Sequence, residues 1–359
     1  APAMYGQFDN LDDIDYVVSG LIKCGFNDVF EVAKAAELVS EYTRQYLHKS
    51  NIKKPVISSA CPVVARLISI RFPYLCENLL PLHPPVEVAA MLAKERALAE
   101  HPELSPSDIG VFFISPCPAK VSYVKNPIGI DKSAVDGTLA MNDIYFKLIG
   151  VMKKDIPPMQ QSETGIIGIS WAGSGGEAAA LFNDKYLAAD GIENIIKVLD
   201  EIENENFAEL EFIELNACPG GCVGGALTVE NPYIAKARLQ NLRRYLPVSR
   251  NYKKHDDNDP VPCGYIWNTP IKYIPVSQLD DDVTEAMKKM ADIQEIYEMF
   301  PHLDCGSCGA PTCRAFAEDI VKGNADVKGC IFILREMFEK SNKKPEDDTI
   351  DSANASGEA

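Results

Sequence analysis

Residues 211–225 read EFIELNACPGGCVGG. The mostly apolar run at 211–215 has the length and composition of a buried strand. The loop after it carries Cys218 and Cys222, with Pro219 directly after the first and glycines that let backbone pass close to a ligand. Two other segments share this construction. PVISS at 55–59 leads into Ala60, Cys61 and Pro62, and GVFFIS at 110–115 leads into Pro116, Cys117, Pro118, Ala119 and Lys120. A further apolar run, GIIGI at 165–169, is predicted as another strand. Helical spacing at 12–25, 30–48, 85–100 and 141–153 fills the chain between these runs or ahead of the first. Strands alternating with helices of this length predict an α/β fold whose parallel sheets are flanked by helices. The cysteines then fall at the carboxyl ends of strands, where such sheets bind ligands.

Four thiolates, Cys61, Cys117, Cys218 and Cys222, can complete a [4Fe–4S] cube. A thiolate also keeps spare lone pairs, so one of them can bridge a cube to a further iron. The chain has 359 residues and eleven cysteines, and an odd number in a long chain does not suggest a secreted disulfide framework. Cys24, Cys76 and Cys263 stand alone and read as small buried hydrophobes or incidental thiols. A reducing cytoplasm is the expected compartment. With 35 Lys+Arg against 52 Asp+Glu the net charge is −17, which argues against a nucleic-acid partner. No apolar run approaches the ~20 residues needed to cross a bilayer, so no membrane partner is expected.

A second constellation lies near the C-terminus, where Cys305, Cys308 and Cys313 are followed by Cys330. The first two sit in a tight loop, and the third opens a helical pattern at 314–322 whose positive end favours an anionic cluster. One additional [4Fe–4S] cluster is the expected occupant, with structural zinc as its rival. A helix is predicted at 283–300, and Asp280, Asp281 and Asp282 read as its solvated start. The expected organisation is a cluster domain at 1–249, a linker at 250–282, a cysteine-rich [4Fe–4S] domain at 283–341 and a disordered tail at 342–359.

The three strand-to-loop motifs, with AGSGG at 172–176, resemble in order the signatures of the [FeFe]-hydrogenase catalytic domain. The resemblance covers about two-thirds of the chain and implies a two-lobed hydrogenase-like domain. It implies an H-cluster, a [4Fe–4S] cube joined to a diiron subsite with CO, cyanide and a dithiolate. By motif position Cys222 would bridge to the diiron unit, Cys61, Cys117 and Cys218 would complete the cube, and Lys120 would hydrogen-bond a cyanide. Pro2 and Ala3 resemble the segment that contacts the diiron unit, which implies a chain cut near its start. The C-terminal motif resembles a small four-iron domain of anaerobic redox proteins.

Departures from the pattern bear on activity. Ala60 stands where vigorous hydrogenases place a proton-relaying cysteine, and a methyl group moves no proton. Pro84 replaces a relay serine, Thr43 and Tyr46 fall near the relay carboxylates, and Ser115 and Asn216 replace methionines beside the diiron unit. These departures resemble the sensory branch of the family. They imply an oxidoreductase of low turnover that binds H2 and slowly splits or forms it, with protons as co-substrate. H2 or redox sensing through a redox or signalling partner is the implied role. The alternative is a hydrogenase-related cluster carrier or assembly protein that lacks the diiron unit. The glycines at 173–176 read as a strand-to-helix turn, and His83 as a core histidine or a neighbour of the pocket.

Overall fold

The computed structural model describes residues 1–152, 162–251, 261–274, 279–280 and 282–342. The tail expected beyond 342, most of the polar stretch at 251–262 and the end of the 141–153 helix lie outside the described residues. The chain divides into two compact units, Ala1–Ile274 and Pro275–Ala359. No described helix is long and apolar enough to cross a membrane.

Among the described residues the first unit holds five strands: β1 (Val56–Ile57), β2 (Phe112–Ser115), β3 (Gly137–Ala140), β4 (Tyr186–Asp190) and β5 (Phe212–Asn216). They form two parallel sheets, one ordered β1-β5-β4 and the other pairing β2 with β3. The α-helices described with them are α1 (Asp15–Lys23), α2 (Val32–Leu47), α3 (Pro62–Arg71), α4 (Pro85–Glu100), α5 (Pro118–Lys125), α6 (Met141–Val151), α7 (Ile166–Ser170), α8 (Gly176–Ala179), α9 (Ile192–Glu203) and α10 (Pro232–Arg243). This is the α/β architecture expected from the sequence, with parallel sheets flanked by helices. Ile57 of β1 and Ile213 of β5 pack with Ile195 and Leu199 of α9, all fully buried. Truncating such a side chain to alanine costs about 2–5 kcal/mol, so this seam holds the sheet that carries Cys61 and Cys218.

One expected strand is a helix. Residues 166–170 form α7, because Gly165 donates to Glu37 Oε1, and Ile166 and Ile167 donate to the carbonyls of Pro247 and Val248. A short apolar run has no period that separates strand from helix, and these tertiary partners decide it. The glycines at 173–176 consequently join two short helices, α7 and α8, rather than a strand and a helix. Strands β3 and β4 have no counterpart among the expected elements. Residues 261–274, inside the stretch expected as a linker, run along the first unit instead. Trp267 donates its backbone N–H to Pro81 and Asn268 to Gly129, and the Trp267 ring packs on the α3–α9 core.

The second unit is helical. It contains α11 (Val283–Glu298), α12 (Cys313–Val321) and α13 (Ile331–Asn342). Asp282 caps α11 by accepting from the N–H groups of Thr284 and Glu285, as an N-cap aspartate should. Ile293, Phe300, Phe316 and Ala317 form its core.

Candidate metal centre

Two cysteines of the first unit sit at helix starts for a simple reason. Cys61 is the N-cap of α3 and Cys117 that of α5, each followed by proline in the first turn. Proline there loses no hydrogen bond and presets the helical φ. Neither cysteine uses its side chain to cap, so an anionic group bound to these sulfurs would meet the positive ends of both helices. Cys218 and Cys222 lie in the loop after β5, which folds against the Cys117 loop and the 172–176 turn. Leu227 donates to Pro116 O, Val223 to Ala172 O and Ser174 to Gly220 O. The contacts require glycine. Gly221 has φ +89°, and a Cβ on Gly225 would stand 2.3 Å from Pro116 O.

The four thiols therefore interact. Burial first, then the neighbouring Cys222, Cys117 and Cys61, pushes the Cys218 thiol up to about 11. Lys120 answers this concentration of negative charge. Its Nζ lies 3.5 Å from Cys222 Sγ. Burial acts to lower its pKa, but the charges of Cys222, Cys117 and Cys61 outweigh that and hold it above the ordinary lysine value. A cation kept charged in such a place needs an anionic partner.

A pocket with about 620 Å³ of empty space opens beside this quartet. Of the four cysteines only Cys222 lines it, with Lys120, Ala60, Pro2, Ala3 and Asn216 among its other walls. Val86 and Phe113 make much of the remainder apolar. A group bonded to Cys222 on the pocket side would meet one ammonium, one unpaired carboxylate oxygen and a largely dry wall. The residues fit an anionic metal group joined to a cube through Cys222.

The unpaired oxygen belongs to a pair of carboxylates in the pocket wall, Glu177 and Glu214, which are 4% and 2% exposed. Glu214 accepts from Gly175 N at 2.9 Å, Ala178 N at 2.8 Å and Asn216 Nδ2 at 2.7 Å. Glu177 Oε2 accepts from Ser58 Oγ at 2.7 Å, while its buried Oε1 has no partner among the described residues. Burial raises both pKa values, and the nearby Glu214 charge raises that of Glu177 further. Two carboxylates so placed cannot both ionise cheaply, so the pair holds a proton near neutral pH.

The second unit places Cys305, Cys308, Cys313 and Cys330 around a pocket with about 350 Å³ of empty space, lined also by Phe300, Phe316 and Ile331. Cys330 is buried and Cys305 exposed. Asp304 fixes the loop by accepting from Cys313 N at 2.7 Å, and Thr312 caps α12 through Ala315 N. Hydrogen bonding from Ser307 lowers the Cys305 pKa. Among the described residues, no three His, Cys, Asp or Glu side chains stand close enough to hold a single metal ion.

Most residues singled out in the first-unit sequence meet here. Cys61, Cys117, Cys218, Cys222 and Lys120 interact, and Ala60, Pro2, Ala3, Asn216 and Pro84 line the pocket. Ser115 does not line it. Its hydroxyl donates to the Cys117 carbonyl at 2.8 Å and so braces the loop. Thr43 donates back to Val39 O within α2, and neither it nor Tyr46 reaches the pocket. His83 is buried, which lowers its pKa, and it too is not a wall of the pocket. Sequence reasoning missed Glu177 and Glu214, although a glutamate inside the buried run FIEL was a visible anomaly.

Comparison with known proteins bears on both units. Residues 1–182 and 176–226 match the family model for the C-terminal domain of the iron only hydrogenase large subunit. Residues 300–332 match a family described as an Fe-S cluster. An [FeFe]-hydrogenase structure concerned with oxygen inactivation of the H cluster superposes with TM-score 0.54 at 18% identity, over 70% of this chain and 85% of that one. An [FeFe]-hydrogenase of Chlamydomonas reinhardtii gives TM-score 0.53 at 18% identity, over 67% and 82%. The large subunit of the corrinoid/iron-sulfur protein from Moorella thermoacetica is 44% identical over 54 residues, 14% of this chain and 12% of that protein. The chain spans a quarter or less of the length of the curated relatives it matches.

Proposed function

The chain belongs to the family of iron-only hydrogenase C-terminal domains, those of the large subunit, and on that premise we propose that it is an H2-binding redox protein whose first unit carries an H-cluster. Cys61, Cys117 and Cys218 hold the cube, and Cys222 joins it to a diiron subsite with CO, cyanide and a dithiolate. One observation carries this reading. Cys222 alone among the four cysteines both lines the pocket and stands against the Lys120 ammonium. When bound, the diiron group supplies an open iron at which H2 can be cleaved heterolytically.

The chain's own residues do the rest. Lys120 holds the anionic group by charge and hydrogen bond. Pro2, Ala3, Val86 and Phe113 keep water from the pocket. Ala60 brings no proton to it, so that duty falls to Glu177 and its partner Glu214, with Ser58 holding Glu177 in place. A route without the thiol delivers protons slowly. The protein is therefore an oxidoreductase of low turnover, suited to sensing H2 or redox state and passing the signal to a redox or signalling partner. The second unit binds a further [4Fe–4S] cluster through Cys305, Cys308, Cys313 and Cys330, which holds the electrons. The organisation is an H-cluster domain followed by a small four-iron domain.

Isotope exchange tests this reading. Anaerobically matured protein under D2 in H2O is expected to form HD at a slow rate, measured by membrane-inlet mass spectrometry. No HD above the cluster-free control, in protein with full iron, CO and cyanide content, would contradict it.

A further inference from the structure

We infer that Lys236 on α10 fixes the proton of the buried carboxylate pair on Glu177 by acting on Glu214 through the Ser174–Gly175 peptide. The inference rests on the reading of Glu177 and Glu214 as the pair that holds a proton at the pocket. Lys236 Nζ donates to Ser174 O at 3.1 Å. The other end of the same peptide, the Gly175 N–H, donates to Glu214 Oε1 at 2.9 Å. In a trans peptide the C=O and N–H point in opposite directions. A cation at the oxygen and a carboxylate at the N–H therefore both lie along the peptide dipole and both favour its orientation. Polarised by the ammonium, the N–H becomes a better donor, and the ionised form of Glu214 gains most.

The side chain of Lys236 has no closer competitor. Among the described residues no carboxylate lies within ion-pair distance of its ammonium, and its one described hydrogen bond is to Ser174 O. The stem reaches that carbonyl across Gly173, where an added Cβ would stand 3.6 Å from Lys236 Cε and 3.8 Å from Cδ.

The donor inventory then settles where the proton sits. Glu214 accepts three hydrogen bonds, two from backbone amides and one from Asn216, so its charged form is well served. Glu177 accepts one, from Ser58, and leaves Oε1 unpaired. Among the described residues, the titratable and charged groups facing the pair are Lys120 from α5, the Ala1 amine and Cys222 in the same pocket and, through the peptide, Lys236 from α10. With Lys236 in place, Glu214 is the anion and Glu177 keeps the proton on the wall of the pocket. Lys236 is a positioning residue, since it touches neither the pocket nor the reacting atoms.

Infrared titration of the protonated-carboxyl stretch tests this on protein carrying its iron–sulfur cubes but no diiron group. The wild type is expected to show a buried carboxylic-acid band at neutral pH that Glu177→Gln removes. In the Glu177→Gln background Glu214 titrates alone. Adding Lys236→Met or Lys236→Gln is expected to raise its midpoint by about one pH unit, and adding Lys236→Arg to leave it in place. Midpoints that coincide in all these proteins would overturn the role of Lys236 while leaving the proton-holding pair intact. A wild type with no acid band at neutral pH would overturn the pair and Lys236 together. A lysine that merely braces the loop would change the melting temperature without moving the midpoint.

Discussion

The first and second units each gather four cysteines, and they do so in opposite surroundings. In the first, the thiols come from three separate loops, and one of them opens onto a pocket that also holds a lysine and two buried carboxylates. In the second, three of the four come from a single loop and helix start, the cavity is walled by the cysteines, aromatic rings and short loop residues, and Cys305 faces outward. The first arrangement suits a cluster that works on a substrate, because it offers an enclosed space with charge and proton partners. The second suits a cluster that stores or passes electrons, because among the described residues that line it there is no lysine and no buried carboxylate pair. Ligand count alone does not separate these roles. What adjoins the sulfur does.

Removing cysteines should break the comparison most completely. Cys218→Ser is expected to cost the first unit its cube, about four iron atoms per chain, and leave the second cluster's paramagnetic signal in place. Cys313→Ser should do the reverse, and iron analysis with electron paramagnetic resonance reads both. A single substitution that empties both sites would show that the units do not bind their clusters independently.

Lys120→Met should have the next largest effect, confined to the first unit. Removing one partner of a buried charge pair costs about 3–5 kcal/mol. The expected outcome is loss of the CO and cyanide bands with the iron of both cubes retained. Retention of those bands at wild-type intensity would remove Lys120 from the site.

Ala60→Cys sharpens the contrast instead of breaking it. It restores a titratable group on the pocket wall, and general acid–base catalysis contributes about 10²–10⁴-fold. HD exchange should rise by at least about tenfold. An unchanged rate in fully metallated protein would mean that proton delivery through this position is not what limits turnover.

The smallest expected effect is in stability against pH. Because the folded pair has raised pKa values, it keeps a proton at pH values where the unfolded chain has lost it. Its contribution to stability therefore falls as pH rises from the ordinary carboxylate range towards the raised value, by at most about 1.4 kcal/mol per pH unit. Thermal melts of cube-loaded protein between pH 5 and 8 should show a shallower slope in Glu177→Gln. An unchanged slope would show that Glu177 is ionised throughout that range.

Where chemistry and local pattern coincide, the sequence is legible. A strand followed by a cysteine and a proline located Cys61 and Cys117 just past strand ends, whereas the helices that each of them opens, α3 and α5, were not among the expected elements. Lys120, singled out by its place in the motif, lies in the first turn of α5, close enough to Cys222 to interact. Local pattern fails where tertiary contacts decide. GIIGI carries no periodicity, so only Glu37 and the carbonyls of Pro247 and Val248 make it α7. The two short strands β3 and β4 are partly exposed and lack the dense apolar run that marks a buried strand. Glu177 and Glu214 were invisible as a pair because 37 positions separate them and only the β5–α8 packing unites them. Thr43 and Tyr46, which fall near the relay carboxylates by resemblance, lie on α2 and do not line the pocket.

The measurement that bears most directly on the central claim is infrared spectroscopy of the anaerobically matured protein in the CO and cyanide stretching region, with and without H2. The account predicts sharp bands that shift when H2 is admitted and vanish in Cys222→Ser. A sample with full cubes and no such bands, or with bands indifferent to H2, would contradict it.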